Sequence, residues 1–297
     1  MIHRCIDQLA EKAATGVAPL CRVLGVSRSG YYAAAAARAR KPARVCAATV
    51  HLQAAFSASG RSYGSRRLPQ ALLQQGRPVG RYRIRSRMRI HGLRPVWKRR
   101  FIHTTESHHA LPIADNRLNR PFEPATVNSA WVSDITCIRT ASGWLYLAAV
   151  MDLFSRKIVG WAMAPSMPAE LVCTALQRAM TQRQPPGGLV VHSDCGSPYA
   201  SDAHRTLLAR HRLHASMSRK ANCWDNAVME RFFLNLKMER VWPNHYANHA
   251  EATRNVTDYI VGFHNSVRLH SKLGYPPPNA YKRHMAEKQP IPVPKNT

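Results

Sequence analysis

AWVSDITCIRT (residues 130–140), WLYLAAVMD (144–152) and KIVGWAM (157–163), followed after a helical stretch by GLVVHSD (188–194), decide the fold of this chain. The first three are short runs rich in β-branched and aromatic residues. Turns at Ser142-Gly143 and Phe154-Ser155-Arg156 separate them, which is the pattern of an antiparallel meander. Residues Ala169–Gln184 read as a helix, closed by Pro185-Pro186-Gly187-Gly188. GLVVHSD is a continuous apolar run ending in polar residues, the signature of a buried strand. A helix near Ser201–His211, a fifth short strand near Leu213–Met217 and helices over 226–238 and 250–266 complete the pattern.

Three strands, helix, strand, helix, strand, helix is the order of a ribonuclease-H-like α/β fold, with a mixed five-stranded sheet and flanking helices. In such a sheet the first and fourth strands are neighbours. Asp134 lies inside the first strand, between Val132 and Ile135. Asp194 falls at the C-terminal end of the fourth, where α/β proteins gather ligands. Two carboxylates so placed repel one another and face partial desolvation, which a divalent cation relieves. Glu230 belongs to a helix for which Asp225 or Asn226 is the N-cap, with Phe233 and Leu234 at i+3 and i+4 expected to dock it on the sheet. Three hard oxygen ligands suit Mg²⁺ or Mn²⁺. Two such ions about 4 Å apart support in-line phosphoryl displacement without a nucleophilic side chain. Asp152, in MDLFSR, is a rival acid whose setting points to turn chemistry and a structural role.

Upstream the texture is helical and basic. VAPLCRVLGVSRSGYYAA (17–34) reads as helix, turn, helix: Leu20, Val23 and Leu24 supply an apolar face, Gly25 a stop and Ser27 a cap. Arg38, Arg40, Lys41 and Pro42 form a basic connection. His51, Leu52, Ala55 and Phe56 sit at helical spacing, and LPQALLQQG (68–76) opens with Pro in the first turn and closes with Gly. RYRIRSRMRI (81–90) alternates strictly with period two, which favours a strand. Ile84 and Met88 are four apart, however, and His91-Gly92 makes a helix stop, so a helix is predicted. Arg81, Arg83, Arg85, Arg87 and Arg89 then surround much of its girth, and several can meet a phosphate backbone whichever face packs inward. Residues 103–128 have little periodicity and read as a linker. The expected divisions are 1–44, 45–102, 103–128, 129–285 and a tail at 286–297.

The 297 residues carry 43 Lys plus Arg against 16 Asp plus Glu, a formal charge of +27. That balance calls for a polyanionic partner. It is concentrated upstream, where residues 1–120 hold 23 basic and 4 acidic side chains. With acids so scarce, each one in the second half invites a question about its purpose. The seven cysteines include no Cys-x-x-Cys pair, so neither a zinc site nor a disulfide framework is indicated. No apolar run is long enough to span a bilayer and the N-terminus lacks a signal-peptide core. A cytoplasmic protein with no membrane partner is expected.

At this point a resemblance becomes specific. Thirty-five residues intervene between Asp194 and Glu230, the interval of the Asp-Asp-Glu transposase and retroviral integrase superfamily. WVSDITCIRT, VMDLFSRKIVGW, VHSDCGSPYAS, SRKANCWDNAVMERFFLNLKME and FHNSVRLHSKLGYPPPNAY resemble, in order, the motifs of OrfB-type transposases of the IS-three group of bacterial insertion sequences. GVSRSGYY and YGSRRLPQALLQQGRPVGRYRIRSRMRIHGLRP resemble the helix-turn-helix segment that precedes the integrase core there, and the likeness runs from about residue 17 to residue 283. It implies an integrase catalytic core preceded by a small all-helical DNA-binding region. It also implies that Asp134, Asp194 and Glu230 are the catalytic, metal-holding triad for two Mg²⁺ or Mn²⁺ ions, and that Lys237, one face of the helix beyond Glu230, contacts DNA. Arg219 and Lys220 are placed to hold phosphates. Cys195 and Cys223 read as small fillers, and Trp224 and Asn226 as packing and helix-start residues. The implied partners are insertion-sequence ends and target DNA, a first-reading-frame (OrfA) protein or fusion, and further copies of the chain on DNA, in a bacterial, nucleoid-associated setting. The sequence lacks the sustained heptads that such a first frame contributes. The function expected is metal-dependent DNA cleavage and strand transfer. A non-catalytic DNA-binding regulator is the alternative, and a ribonuclease H would leave the upstream helices without a purpose.

Overall fold

The computed structural model describes residues 2–13, 16–39, 46–96, 112–118, 124–219 and 226–288. The chain divides into two compact units, Met1–Ala54 and Ala55–Thr297.

The first unit holds α1 (Ile2–Ala13), α2 (Val17–Val23) and α3 (Arg28–Ala39). Gly25 turns the chain between α2 and α3 at φ +63°, and Ser27 Oγ accepts the Gly30 N–H at 3.1 Å, so stop and cap fall where expected. The apolar face does not. Val23 is 81% exposed and Leu24 also faces solvent. The buried residue of α2 is Cys21, packed with Ile6 of α1 and Tyr31 of α3, with Leu20 at the margin. α1, which the sequence reading did not anticipate, supplies the surface that selects this face. Arg40, Lys41 and Pro42 lie outside the described residues.

α4 (Ala47–Ala58) spans the division between the units. Beyond it come α5 (Leu68–Gln74), with Leu68 and Leu72 buried, and α6 (Arg81–Ile90). α6 is a helix, not a strand. Ile84 and Met88, one turn apart, are its buried residues, while Tyr82 and Ile90 are exposed. Gly92 at φ +62° and the Leu93 N–H donating to Met88 O at 2.8 Å close its C-terminus, a conformation that costs glycine little.

The sheet contains β1 (Ala130–Thr140), β2 (Gly143–Asp152), β3 (Ile158–Ala164), β4 (Val190–Ser193) and β5 (His214–Met217) in the order β3-β2-β1-β4-β5. β1, β2 and β3 pair antiparallel; β4 joins β1, and β5 joins β4, in parallel. α7 (Ala169–Arg183) covers β2 and β3. Its approach is close at Gly160, where an added Cβ would stand 2.3 Å from Ala175 O. The short α8 (Ser197–Ala200) and α9 (Asp202–Arg210) follow. With Trp131, Ala148, Val150, Leu176 and Tyr199 they build one core. On the other face Val132, Leu147 and Ala149 pack under α10 (Ala227–Leu236) and α11 (His249–Asp258). Each large apolar side chain buried here contributes about 1.5–3 kcal/mol. Residues 112–118 of the expected linker run beside β5: Arg117 and Leu118 donate their N–H groups to Ser216 Oγ, and Leu118 is buried in the second core.

α10 and α11 each continue into a π-helical turn, Lys237–Val241 and Tyr259–His264, and α12 (Pro278–Lys288) ends the described chain. Between the two turns lies a buried polar cluster. Arg268 donates Nε to Glu239 Oε2 at 2.9 Å and an NH2 proton to Oε1 at 2.7 Å, and the Tyr259 hydroxyl donates to Oε2 at 2.7 Å. Burial alone would raise the Glu239 carboxyl, but Arg268 holds it below the usual carboxylate range. The Tyr63 hydroxyl donates to Val267 O at 3.3 Å and accepts the Leu269 N–H at 2.8 Å, tying residues beside α5 to this cluster.

His264 lies in the same region, its Nε2–H donating to Arg156 O at 3.1 Å. Burial, and then the Arg268 charge, lower its pKa to about 3; burial lowers that of His204 to about 4. The unfolded chain protonates both imidazoles near pH 6.5 and the folded chain resists, so the unfolded state binds more protons between those values. This stability is present above pH 6.5 and is lost as pH falls. In the Asp134→Asn background, which removes a carboxyl whose pKa burial raises and whose titration acts in the opposite sense, the urea midpoint is expected to drop between pH 7 and pH 5. A flat or rising midpoint in that variant would mean that neither imidazole is held neutral.

Candidate active site

The sheet brings two acids together by register alone. Val132 of β1 pairs with His192 of β4 in parallel. Two residues further along each segment stand Asp134, inside β1, and Asp194, one residue past the end of β4, and the paired strands are spaced about 4.8 Å apart. Asp134 Oδ1 accepts the Ile135 N–H at 2.7 Å, and Asp194 Oδ1 accepts the Gly196 N–H at 3.1 Å, so each carboxylate is oriented by the backbone next to it. Burial pushes the Asp134 carboxyl well above its ordinary range, and Asp194 and then Glu230 push it further. The Ile135 N–H and the Lys237 ammonium oppose them. Ionising Asp134 is therefore opposed, first by burial and then by the neighbouring acids.

Glu230 sits on α10, which packs against β1, and is exposed. Asn226 is the N-cap residue, although its side chain makes no cap bond. The docking face is Met229, Phe232, Phe233 and Leu236, whereas the expected Leu234 is only half-buried. The buried positions 229, 232, 233 and 236 centre about 100° round the helix from Glu230, so Phe233 falls inside the packed face and Leu234 outside it. Lys237 begins the π-helical turn and lies within the field of Asp134, two turns from Glu230 as its spacing requires. Among the described residues, no three His, Cys, Asp or Glu side chains stand close enough to form a ready-made metal cluster. Asp134, Asp194 and Glu230 are thus brought into one electrostatic neighbourhood without being closed around a point. As a donor set they are three carboxylates with hard oxygens, which fits a divalent cation such as Mg²⁺.

Asp152 has the structural role its turn indicated. It is fully buried, with Oδ1 accepting the Asn128 N–H and Oδ2 accepting from the Ser155 N–H, the Ser155 hydroxyl and Arg183. Cys195 is a buried filler whose Sγ–H donates to Ser218 O at 2.7 Å. Arg219 is exposed beyond β5; Lys220, Cys223, Trp224 and Asp225 lie outside the described residues. On α6, Arg81, Arg83, Arg85 and Arg89 are exposed and Arg87 is half-buried. Sequence reasoning passed over Glu239, Arg268, Tyr63, Ser133 and Tyr199. The scarcity of acids was a signal for Glu239, but nothing local named its partner.

A sheet ordered 3-2-1-4-5, with one acid on its central strand, a second just past the adjoining parallel strand and a third on the covering helix, defines the integrase-core class. Residues 124–223 match the family described as Integrase core domain, residues 211–278 a second Integrase core domain family and residues 47–101 an HTH-like domain. The transposase InsF for insertion sequence IS3A of Escherichia coli (strain K12) is 39% identical over 268 residues, covering 89% of this chain and 92% of that one. The insertion element IS600 uncharacterized 31 kDa protein of Shigella sonnei is 40% identical over 267 residues, covering 89% and 97%. Among solved structures, a simian T-cell lymphotropic virus intasome chain is similar at a TM-score of 0.47 and 16% identity, over 65% of this chain and 66% of that one. The chain belongs to the IS3-type transposase family. Among the described residues no helix is long and apolar enough to cross a membrane.

Proposed function

We propose that the chain cleaves DNA at the ends of its insertion sequence and joins the exposed 3′-hydroxyls to target DNA, using Asp134, Asp194 and Glu230 as carboxylate ligands for two Mg²⁺ or Mn²⁺ ions. The observation that carries this reading is the register that sets Asp134 beside Asp194, with Glu230 and Lys237 also within the field of Asp134. When bound, such ions activate an attacking oxygen and stabilise the leaving one. The protein's own residues do the rest. The Ile135 and Gly196 N–H groups orient the two aspartates. Lys237 supplies positive charge at the margin, where a scissile phosphate lies. Arg219, Lys220 and the arginines of α6 hold flanking phosphates, which fix register without reading sequence. Residues 45–102 act as the DNA-binding domain and 129–285 as the catalytic core, joined by 103–128, with 1–44 as a further helical segment and 286–297 as a tail. A first-frame product and further copies of the chain complete the assembly on DNA.

The test uses duplex DNA carrying the terminal repeats that flank the gene, with the first-frame product present. Nicks exposing 3′-hydroxyls are expected in Mg²⁺ or Mn²⁺ and none in EDTA. Tight binding without nicks in either metal would overturn the enzymatic reading in favour of a DNA-binding regulator. In the binding arm, replacing Arg81, Arg85 and Arg89 together is expected to flatten the salt dependence, each lost phosphate contact reducing the slope by about 0.9. An unchanged slope would place those arginines away from DNA.

A further inference from the structure

Behind the acids, on the opposite face of the sheet, two hydroxyls meet. Tyr199 of α8 is 1% exposed and its hydroxyl lies 3.0 Å from Ser133 Oγ, itself 2% exposed; either atom can donate. Ser133 immediately precedes Asp134 on β1. Tyr199 follows Asp194 by five residues, through a turn in which Gly196 N–H donates to Asp194 Oδ1 and Gly196 O accepts the Tyr199 N–H at 3.0 Å. The hydroxyl pair therefore cross-ties the two segments that carry Asp134 and Asp194.

The core does not need this pair. Tyr199 packs among Val191, Leu176 and Ala200, where a phenylalanine ring fills the same space, and a buried hydroxyl is costly unless it is partnered. Both hydroxyls occur where the acid-bearing segments meet and satisfy one another. Burial pushes the Tyr199 phenol well up, and Asp134 and then Asp194 push it further, which keeps it protonated.

We infer that Tyr199 is a positioning residue which, through Ser133, fixes the separation of Asp134 and Asp194 for metal binding. The inference rests on the metal-holding role proposed above. Partners behind a ligand set commonly change metal affinity by about 10–100-fold. The experiment titrates Mn²⁺ into the full chain, following the free-ion paramagnetic resonance signal, with urea unfolding in parallel. Tyr199→Phe is expected to weaken Mn²⁺ binding by about 10-fold. Ser133→Ala should do the same, and the double variant should be no weaker than either alone, because all three remove one tie. Wild-type Mn²⁺ affinity in Tyr199→Phe, whatever its urea midpoint, would overturn the inference while leaving the ligand assignment standing. Absence of saturable binding by the wild type, or equal binding by Asp134→Asn, would bring down the ligand assignment and the inference with it.

Discussion

Asp134→Asn, Asp194→Asn and Glu230→Gln are each expected to reduce strand cleavage by roughly 10³-fold while leaving DNA binding near the wild-type level. Metal-held charge stabilisation in phosphoryl transfer is worth several kcal/mol, and about 4 kcal/mol corresponds to roughly 10³-fold in rate. Each amide preserves shape and removes the negative donor. Binding survives because it depends on basic side chains elsewhere. A gel-shift and a cleavage assay on the same repeat-end duplex separate the two effects, and near-normal cleavage by any variant would remove that residue from the set. Asp134→Asn carries a second expectation of opposite sign. Its folded pKa is raised above the unfolded value, so the ionised carboxylate destabilises the metal-free fold above that unfolded value, and more so toward neutral pH. The amide removes this load. The metal-free variant should therefore melt higher than wild type, by roughly 2–4 °C for each kcal/mol relieved. A lower melting point would show that the carboxylate is held by its neighbours instead of repelled by them.

The largest stability effect is expected at Arg268. Replacing it with Met leaves Glu239 buried and charged, with Tyr259 as its direct hydrogen-bond donor, and loss of one partner of such a pair costs about 3–5 kcal/mol. That is a large share of the roughly 5–15 kcal/mol that stabilises a typical fold. Glu239→Gln should be damaging for a different reason. Arg67 and Arg268 both lie within the field of Glu239, and the Arg268 charge disfavours that of Arg67, so removing the carboxylate leaves two like charges without the acid that offsets them. Urea unfolding measures both variants, and combining them should cost less than the sum because the charges leave together. An Arg268→Met midpoint equal to that of wild type would mean that water reaches Glu239 freely.

Local pattern and register made much of the molecule legible. The meander, the parallel fourth strand and the side-by-side aspartates follow from alternation and chain order, which depend on near neighbours. α6 shows the limit of periodicity: its arginines alternate as a strand's would, and the i, i+4 pair Ile84 and Met88 decided for helix because only those two are buried. Faces were harder to read. Val23 and Leu24 are apolar but point outward, because α1 selects Cys21 instead. Leu234 lost to Phe232 because the packed face lies to one side of Glu230 and Leu234 lies to the other. The buried polar cluster was invisible for a physical reason. Tyr63 and Leu269 stand 206 positions apart, and in so basic a chain Arg268 looks like one more solvated cation until the fold supplies Glu239.

The tie from Tyr63 and Arg67 into that cluster bears on how elements of this kind exchange parts. A hybrid whose front end comes from another element inherits Glu239 and Arg268 but not the phenol and guanidinium that complete their surroundings. Recombination between relatives is therefore least disruptive where the donor sequence brings a tyrosine and an arginine in the same four-residue step.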